Sequence, residues 1–359
     1  MKSDHPILTL LGSNSGNNAG DAGILASILD AISKELPDAE FLVPSTNPRF
    51  IDGNYAEKYR VKGINVMPWT ASVRLFGIPT MRCMAKSDLA LITDGIIFDV
   101  KLFNPTFNFL ITLIFLVPWA KLVNCKLICY SCGVGPLETF WGRRFARWVI
   151  NACDLVIMRE HDSKRLCEEV GVTQPIEVTG DAAFLNVVSN EERCDEILAA
   201  ENISLDRPAL GINVTRYVDQ WLKPGEKITD RGAYLHMLAD GIEQARQQAD
   251  QAFDVILFST HPMDLEFCEK LAQLVDGRVV SSTKYLSHDL QAVMRRCELF
   301  MGMRFHSVVF ASAVGVPIVG LVYAPKVRGF MRLLDSEKYG LELAELSDKL
   351  LAQRLAHAW

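Results

Sequence analysis

The apolar and polar positions of the chain follow two alternating patterns. Short, almost continuous apolar runs are typical of buried strands, and they occur at residues 6–11, 41–43, 89–93, 126–131, 154–158, 176–179, 209–214, 253–259, 299–303 and 317–322. Segments with apolar residues three or four positions apart predict amphipathic helices, at residues 21–36, 234–248, 265–274 and 307–314. Strands that alternate with helices predict an α/β protein with mainly parallel sheets covered on both faces.

The alternation is interrupted at residues 189–208, which are the least periodic and most charged stretch. A chain of 359 residues is long enough for two hydrophobic cores of ordinary size. We therefore expect one Rossmann-like domain over residues 1–188, a linker over 189–208 and a second Rossmann-like domain over 209–342. A C-terminal amphipathic helix is predicted over residues 343–359.

Composition excludes some classes of partner. Charged residues make up 22% of the chain and the formal net charge is −6, so no whole-molecule attraction to nucleic acid is expected. Nine cysteines are scattered without the paired spacing of a zinc site, which predicts reduced, buried thiols and no metal centre. The first residues lack the pattern of a signal peptide, and we expect a cytoplasmic protein.

One stretch leaves two interpretations open. The apolar residues 109–120 are too few to cross a bilayer, which takes about 20 residues. They predict either a buried helix or, with their neighbours from 107 to 123, a surface that lies at the membrane interface. Indole and basic side chains follow them, as expected for an interfacial surface: Trp141, Arg143, Arg144, Arg147 and Trp148.

Two glycine-containing loops follow predicted strands. Residues 12–21 read GSNSGNNAGD, and a loop of this type exposes backbone N–H groups at a helix start, where a phosphate or carboxylate binds. Residues 133–137 read GVGPL, a tight turn that lets a ligand approach the backbone. Neither matches a dinucleotide fingerprint or a P-loop. The candidate binding residues are Asn14, Gly16, Asp21, Gly133 and Gly135, and ordinary turns remain the alternative.

Basic residues follow three other predicted strands. Arg159 comes directly after residues 154–158, and Arg304 and His306 come directly after 299–303. Tyr323 and Lys326 follow the strand at 317–322, one helix and one strand beyond His306, which brings them to the same edge of the sheet. Such residues are either an anion-binding site or ordinary ion pairs.

The order of these motifs resembles the polysaccharide pyruvyl transferase family from near the N-terminus to about Phe330. The similar segments are GSNSGNNAGDAGIL, GVGPL, MREHDSKRLCEEVGV, VTGDAAF, GINVTRY and MGMRFHSVVFASAVGVPIVGLVYAPKVRGF. The chain departs from the family at TDGIIFD, residues 93–99, where a run of glycines is usual and only Gly95 remains. This departure lies on the side expected to bind the acceptor.

The resemblance implies a glycosyltransferase-B-like fold in which the donor and acceptor meet between two Rossmann-like domains. It implies transfer of pyruvate from phosphoenolpyruvate to a sugar of a polysaccharide, such as an exopolysaccharide, or of its lipid-linked precursor, with formation of a ketal. The N-terminal domain is then the acceptor side and the C-terminal domain the phosphoenolpyruvate side. Arg159, His306 and Lys326 correspond to the donor site, with Arg304 and Tyr323 beside them and His306 as general acid.

This chemistry needs no metal or cofactor, and the enzyme would work in the cytoplasm or at the inner face of a membrane. Two alternatives remain open: a glycosyltransferase of the same fold that uses a nucleotide sugar, and a non-catalytic assembly protein. The presence of all three donor-site residues disfavours the second alternative. The sequence does not determine the oligomeric state.

Overall fold

A computed structural model describes residues 5–67, 70–105, 107–216, 230–323 and 325–359. It divides into two compact units. The first unit comprises residues 1–16 and 21–182, and the second comprises Asn17–Gly20 together with Ala183–Trp359. The stretch 189–208, predicted as a linker, contains a helix that belongs to the second unit.

The first unit is built on a parallel sheet with the strand order β3-β2-β1-β4-β5-β6-β7. Its strands are β1 (Ile7–Leu11), β2 (Glu40–Ser45), β3 (Val61–Asn65), β4 (Leu89–Ile92), β5 (Lys126–Cys132), β6 (Leu155–Met158) and β7 (Glu177–Val178). Its helices are α1 (Ala19–Glu35), α2 (Pro48–Tyr55), α3 (Ile78–Lys86), α4 (Leu110–Leu122), α5 (Phe140–Asn151) and α6 (His161–Glu169). The order reverses direction between β1 and β4, and ligands bind at such reversals, outside the carboxyl ends of the strands.

The second unit repeats this plan with the strand order β10-β9-β8-β11-β12-β13, again all parallel. Its strands are β8 (Ala209–Asn213), β9 (Asp254–Ser259), β10 (Arg278–Ser281), β11 (Leu299–Gly302), β12 (Ile318–Val322) and β13 (Gly340–Glu342). Its helices are α7 (Glu191–Ala200), α8 (Arg231–Gln248), α9 (Leu265–Leu274), α10 (Ser287–Met294), α11 (Phe305–Ala313), α12 (Pro325–Leu333) and α13 (Asp348–Ala358). The reversal lies between β8 and β11.

The predicted α/β architecture with mainly parallel sheets is confirmed. The strands β3, β10 and β13 and several helices are additional to the elements that the sequence pattern predicts, and other differences lie at element ends. Helix α1 begins at Ala19, so Asp21 lies in its first turn and does not precede the helix. The last helix begins at Asp348, later than the sequence pattern predicts. The residues before it form the edge strand β13, whose three residues are too few to show a period in the sequence.

The structure decides between the two interpretations of residues 109–120. Leu110, Leu113, Leu116, Val117 and Ala120 of α4 are buried in the core of the first unit. The membrane interpretation is therefore wrong for this segment, because an all-round apolar helix here packs against the sheet and its neighbouring helices. Among the described residues, no helix is long and apolar enough to span a bilayer.

All nine cysteines are buried and free.

Candidate functional site

Arg159 lies at the carboxyl end of β6 and is surrounded by carboxylates. Its Nε lies 2.9 Å from Glu160 Oε2, and its Nη1 lies 3.1 Å from Asp181 Oδ2 and 3.8 Å from Asp94 Oδ1. The guanidinium is only 6% exposed. We call these four residues the carboxylate cluster. They come from the loops that follow β4, β6 and β7, so the cluster connects the loops at the carboxyl ends of these three strands.

The ionisation of Arg159 depends on this cluster. Burial by itself lowers the pKa of Arg159, but the charges of Glu160, Asp181 and Asp94 outweigh burial and raise it. The guanidinium also lies close to the backbone of the GVGPL loop. A Cβ on Gly133 would lie 2.5 Å from Nη2, so a larger residue at this position would displace the arginine.

Hydroxyl groups connect the cluster to the surrounding loops. Ser163 Oγ donates to Glu160 and accepts from the N–H of Val134 at 2.8 Å. Ser131 Oγ accepts from the N–H of Ala182 at 2.7 Å, next to Asp181. Arg159 therefore lies in a hydrogen-bonded, tightly packed region at the carboxyl edge of the first sheet.

The other candidate residues of the first unit lie outside the carboxylate cluster. Asn14 is buried and donates from Nδ2 to the carbonyl of Leu10. Gly16 packs on the Phe50 ring, and Gly135 lies against Leu166. Asp21 is buried in the first turn of α1. Of these candidates, only Gly133 contacts Arg159.

Arg304 lies in the second unit, just beyond the carboxyl end of β11. Its Nε donates to Asp264, a fully buried carboxylate that also accepts from Thr215 Oγ1 at 2.7 Å. Burial lowers the pKa of Arg304, but the hydrogen bond and charge of Asp264 outweigh burial and raise it. Within the described residues no partner occupies its two terminal nitrogens, the pair that binds a carboxylate or phosphate.

A buried asparagine fixes the start of α11. Asn213, the last residue of β8, accepts at Oδ1 from the N–H of Arg304 and from Ser307 Oγ, both at 2.9 Å. Its Nδ2 donates to the carbonyl of Phe258 at 2.8 Å. This one side chain connects β8, β9 and the first turn of α11, and so sets the positions of Arg304 and His306.

His306 and Lys326 both lie close to the aromatic ring of Phe305. The His306 ring is 5.1 Å from the Phe305 ring, and Lys326 Nζ is 5.9 Å from the same ring. A Cβ on Gly20 would lie 2.0 Å from His306 Nδ1, so the imidazole packs directly against the backbone there. We call Arg304, His306 and Lys326 the cationic site. Tyr323, at the end of β12, is buried.

Sequence reasoning missed the residues that hold these groups in place. Asn213 is the last residue of β8, and His261 and Asp264 follow the end of β9. His261 Nδ1 accepts from the N–H of Met263 at 3.1 Å, and burial together with the charge of Arg304 lowers its pKa. The signal was present in the sequence, because polar residues directly follow an apolar strand in THPMD, residues 260–264.

Two residues of the similar motifs, Tyr217 and Ala324, lie outside the described residues. Within the described ranges, no group of three or more His, Cys, Asp or Glu side chains is arranged to hold a metal ion.

Comparisons with known proteins identify the family and the fold of the chain. The family model for polysaccharide pyruvyl transferase matches residues 18–325. No curated protein matches the sequence.

Among solved structures, UDP-GlcNAc 2-epimerase from Methanocaldococcus jannaschii is 14% identical with a TM-score of 0.62, covering 98% of this chain and 91% of that one. UDP-GlcNAc 2-epimerase from Neisseria meningitidis, bound to UDP-GlcNAc, is 12% identical with a TM-score of 0.57, covering 98% and 100%. A glycosyltransferase from Rickettsia africae is 9% identical with a TM-score of 0.52, covering 99% and 94%. At these identities the likeness shows the fold alone, which is glycosyltransferase-B-like.

Proposed function

Because the chain belongs to the polysaccharide pyruvyl transferase family, it is a transferase with a saccharide acceptor, and we propose that phosphoenolpyruvate is its pyruvyl donor. The observation that carries this proposal is the cationic site, where Arg304, His306 and Lys326 follow the carboxyl ends of β11 and β12 and the last two both lie near the Phe305 ring. Phosphoenolpyruvate has a carboxylate and a phosphate, and the site offers two cations and one imidazole.

The two cations suit the two anionic groups differently. Arg304 is held at Nε by Asp264, so its terminal nitrogens are oriented to bind one planar or tetrahedral anion with two parallel bonds. Lys326 is a flexible point charge with an exposed side chain, which suits a phosphate whose charge changes during the reaction.

His306 supplies the proton in the proposed mechanism. Transfer of its proton to the methylene carbon turns that carbon into a methyl group and makes the neighbouring carbon electrophilic. A sugar hydroxyl attacks this carbon, phosphate leaves, and a second hydroxyl closes the ketal ring. Of the two hydroxyl protons released, one restores His306 and the other leaves with phosphate, so the reaction is balanced.

Arg159 has a different role in this proposal. A guanidinium that three carboxylates already surround is poorly suited to attract a further anion. Any contact with the donor would replace the longest of these pairs, to Asp94 at 3.8 Å. We place the acceptor side in the first unit, where Arg159 holds the loop ends in position. If the acceptor is lipid-linked, transfer takes place at the inner face of a membrane.

The test compares donors on the full-length protein. Incubation with phosphoenolpyruvate and a panel of sugars and lipid-linked saccharides should release inorganic phosphate and give a product that mass spectrometry identifies as a pyruvate ketal. Phosphoenolpyruvate should also raise the melting temperature. If only a nucleotide sugar raises it, the protein is instead a glycosyltransferase. If no donor has any effect, a non-catalytic assembly role is favoured.

A further inference from the structure

Helix α5 is attached firmly to the first unit by one face. Its inner residues Gly142, Ala146, Val149 and Ile150 are buried. Thr139 caps the helix by accepting from the N–H of Gly142 at 3.0 Å. The helix therefore keeps its position without help from its outer side chains.

The outward-facing side chains of α5 include large aromatic rings that are exposed to solvent and are not part of the buried core. Phe140 is 70% exposed, Trp141 49% and Trp148 43%. The rings pack mainly on one another, with Phe140 and Trp141 5.3 Å apart and Trp141 and the half-buried Phe145 5.6 Å apart. Two exposed tryptophans on one short helix are an unfavourable surface in water, which indicates that something covers them.

Three exposed arginines lie beside these rings, at positions 143, 144 and 147. Arg143 Nε donates to the carbonyl of Leu137. In the part of the chain that the structure describes, none of the three forms an ion pair. The second unit differs, because there Arg295 and Arg296 both pair with Glu191. The positive charge on α5 is thus not neutralised by nearby carboxylates.

We propose that the outer face of α5, formed by Phe140, Trp141, Arg143, Arg144, Arg147 and Trp148, docks on the surface of an anionic lipid bilayer. Helical spacing places Trp141 and Trp148 along one side of this face and Arg143 and Arg147 along the other. Indole rings enter the interfacial layer while arginines contact lipid phosphates, so the helix lies flat on the membrane. An acidic protein surface would complement the charge of the arginines, but it would not provide an apolar layer for the exposed aromatic rings.

Flotation with vesicles tests the proposal without any substrate, so its outcome is independent of pyruvyl transfer. Full-length protein is mixed at low salt with vesicles of phosphatidylcholine alone or with added phosphatidylglycerol. We expect binding only to the anionic vesicles, weakened by high salt. Changing Arg143, Arg144 and Arg147 together to Gln should weaken partitioning about a hundredfold, because each basic residue near an anionic surface contributes about a factor of five.

The aromatic contribution needs its own variant. Trp141→Ala with Trp148→Ala should weaken binding several-fold even at low salt, because the indoles anchor the helix in the interface. The control for the tryptophan variant is Leu36→Ala with Leu274→Ala, which removes exposed apolar side chains elsewhere. The control for the arginine variant is a triple change of Arg207, Arg278 and Arg332 to Gln, which removes exposed positive charges elsewhere. Both controls should bind like the wild type. Absence of flotation at low salt, or equal loss in variants and controls, would overturn the proposal.

Discussion

Arg159 and Arg304 each lie just beyond the carboxyl end of a parallel strand, β6 in the first unit and β11 in the second, but their surroundings differ. Arg159 is in contact with three carboxylates, whereas one carboxylate, Asp264, holds Arg304 at Nε. Around Arg159 negative charge is in excess, whereas Arg304 has one carboxylate partner and lies close to His261. Two arginines that follow parallel strands thus have different environments, and we propose a structural role for Arg159 and anion binding for Arg304.

The difference shows how neighbouring charges determine what an arginine does. A buried guanidinium that is bonded to carboxylates through Nε and Nη1, as Arg159 is, stabilises the loops that carry those carboxylates. One that is held at a single nitrogen keeps its remaining donors for a ligand. The following experiments test this distinction, from the largest expected effect to the smallest.

His306→Ala should remove the proposed general acid. We expect the rate of pyruvyl transfer to fall about 10²–10⁴-fold, the usual contribution of a positioned acid, while the melting temperature changes little. Steady-state kinetics with phosphoenolpyruvate measures the first quantity. The matched control, His236→Ala on the exposed side of α8, should retain wild-type activity. Near-normal turnover in the His306 variant would contradict the assignment.

Arg159→Met should leave the carboxylate cluster without its cation. Breaking such a buried pair costs about 3–5 kcal/mol of the free energy of unfolding, which chemical denaturation can measure. Adding Asp181→Asn to this variant should recover part of the loss, because it relieves carboxylate repulsion. Arg165→Met, at an exposed pair with Asp162, should cost less than about 1 kcal/mol. Equal effects at both arginines would show that Arg159 has no structural role.

Asp264→Asn should loosen the side chain of Arg304 and remove the charge that holds it. We expect the KM for phosphoenolpyruvate to rise about tenfold to a hundredfold, as for loss of a charge-assisted contact, with a smaller change in kcat. Thr215→Val, which removes the other hydrogen bond of Asp264, serves as the control and should raise KM less. If kcat falls while KM stays constant, Asp264 does not act through donor binding.

Lys326→Met should weaken the affinity for phosphoenolpyruvate about tenfold, which is the effect of losing about 1.5 kcal/mol of a charged contact. The effect should be smaller than that of Asp264→Asn because the side chain of Lys326 is exposed and partly screened by water. Calorimetry measures the dissociation constant. Lys338→Met, at another aromatic ring, is the control and should leave affinity unchanged.

His261 should give a small pH dependence of stability. Its pKa is lowered in the folded protein, so as pH falls through about 6.5 the unfolded chain takes up a proton that the folded chain does not. Stability from this group is present above that pH and is lost below it. In the His261→Gln variant, the fall in melting temperature from pH 7.5 to pH 5.5 should be about 1–2 °C smaller than in the wild type. An unchanged pH profile would show that the histidine does not contribute.

Much of the fold was accessible from the sequence because continuous apolar runs specify buried parallel strands without ambiguity. The strands at 126–131 and 299–303 are found within one or two residues of their predicted bounds. Helix starts were less predictable, since both Asn18, whose Oδ1 accepts from the N–H of Gly20, and Asp21 offer a capping side chain near the start of α1. The candidate residues Arg159, Arg304, His306 and Lys326 were identified from their positions after strands, and their catalytic roles stay a prediction.

The sequence by itself determined the parallel α/β architecture, the buried cysteines and the family, because these depend on local periodicity and on the order of short motifs. Only the tertiary structure decided that residues 109–120 are core and that α5 carries the exposed aromatic and basic face. It alone also showed that Arg159 is surrounded by carboxylates and that Asp264 and Asn213 hold the cationic site. The reason is physical: burial and charge pairing join residues that are far apart in the chain, such as Asn213 and Arg304, and no local pattern encodes them.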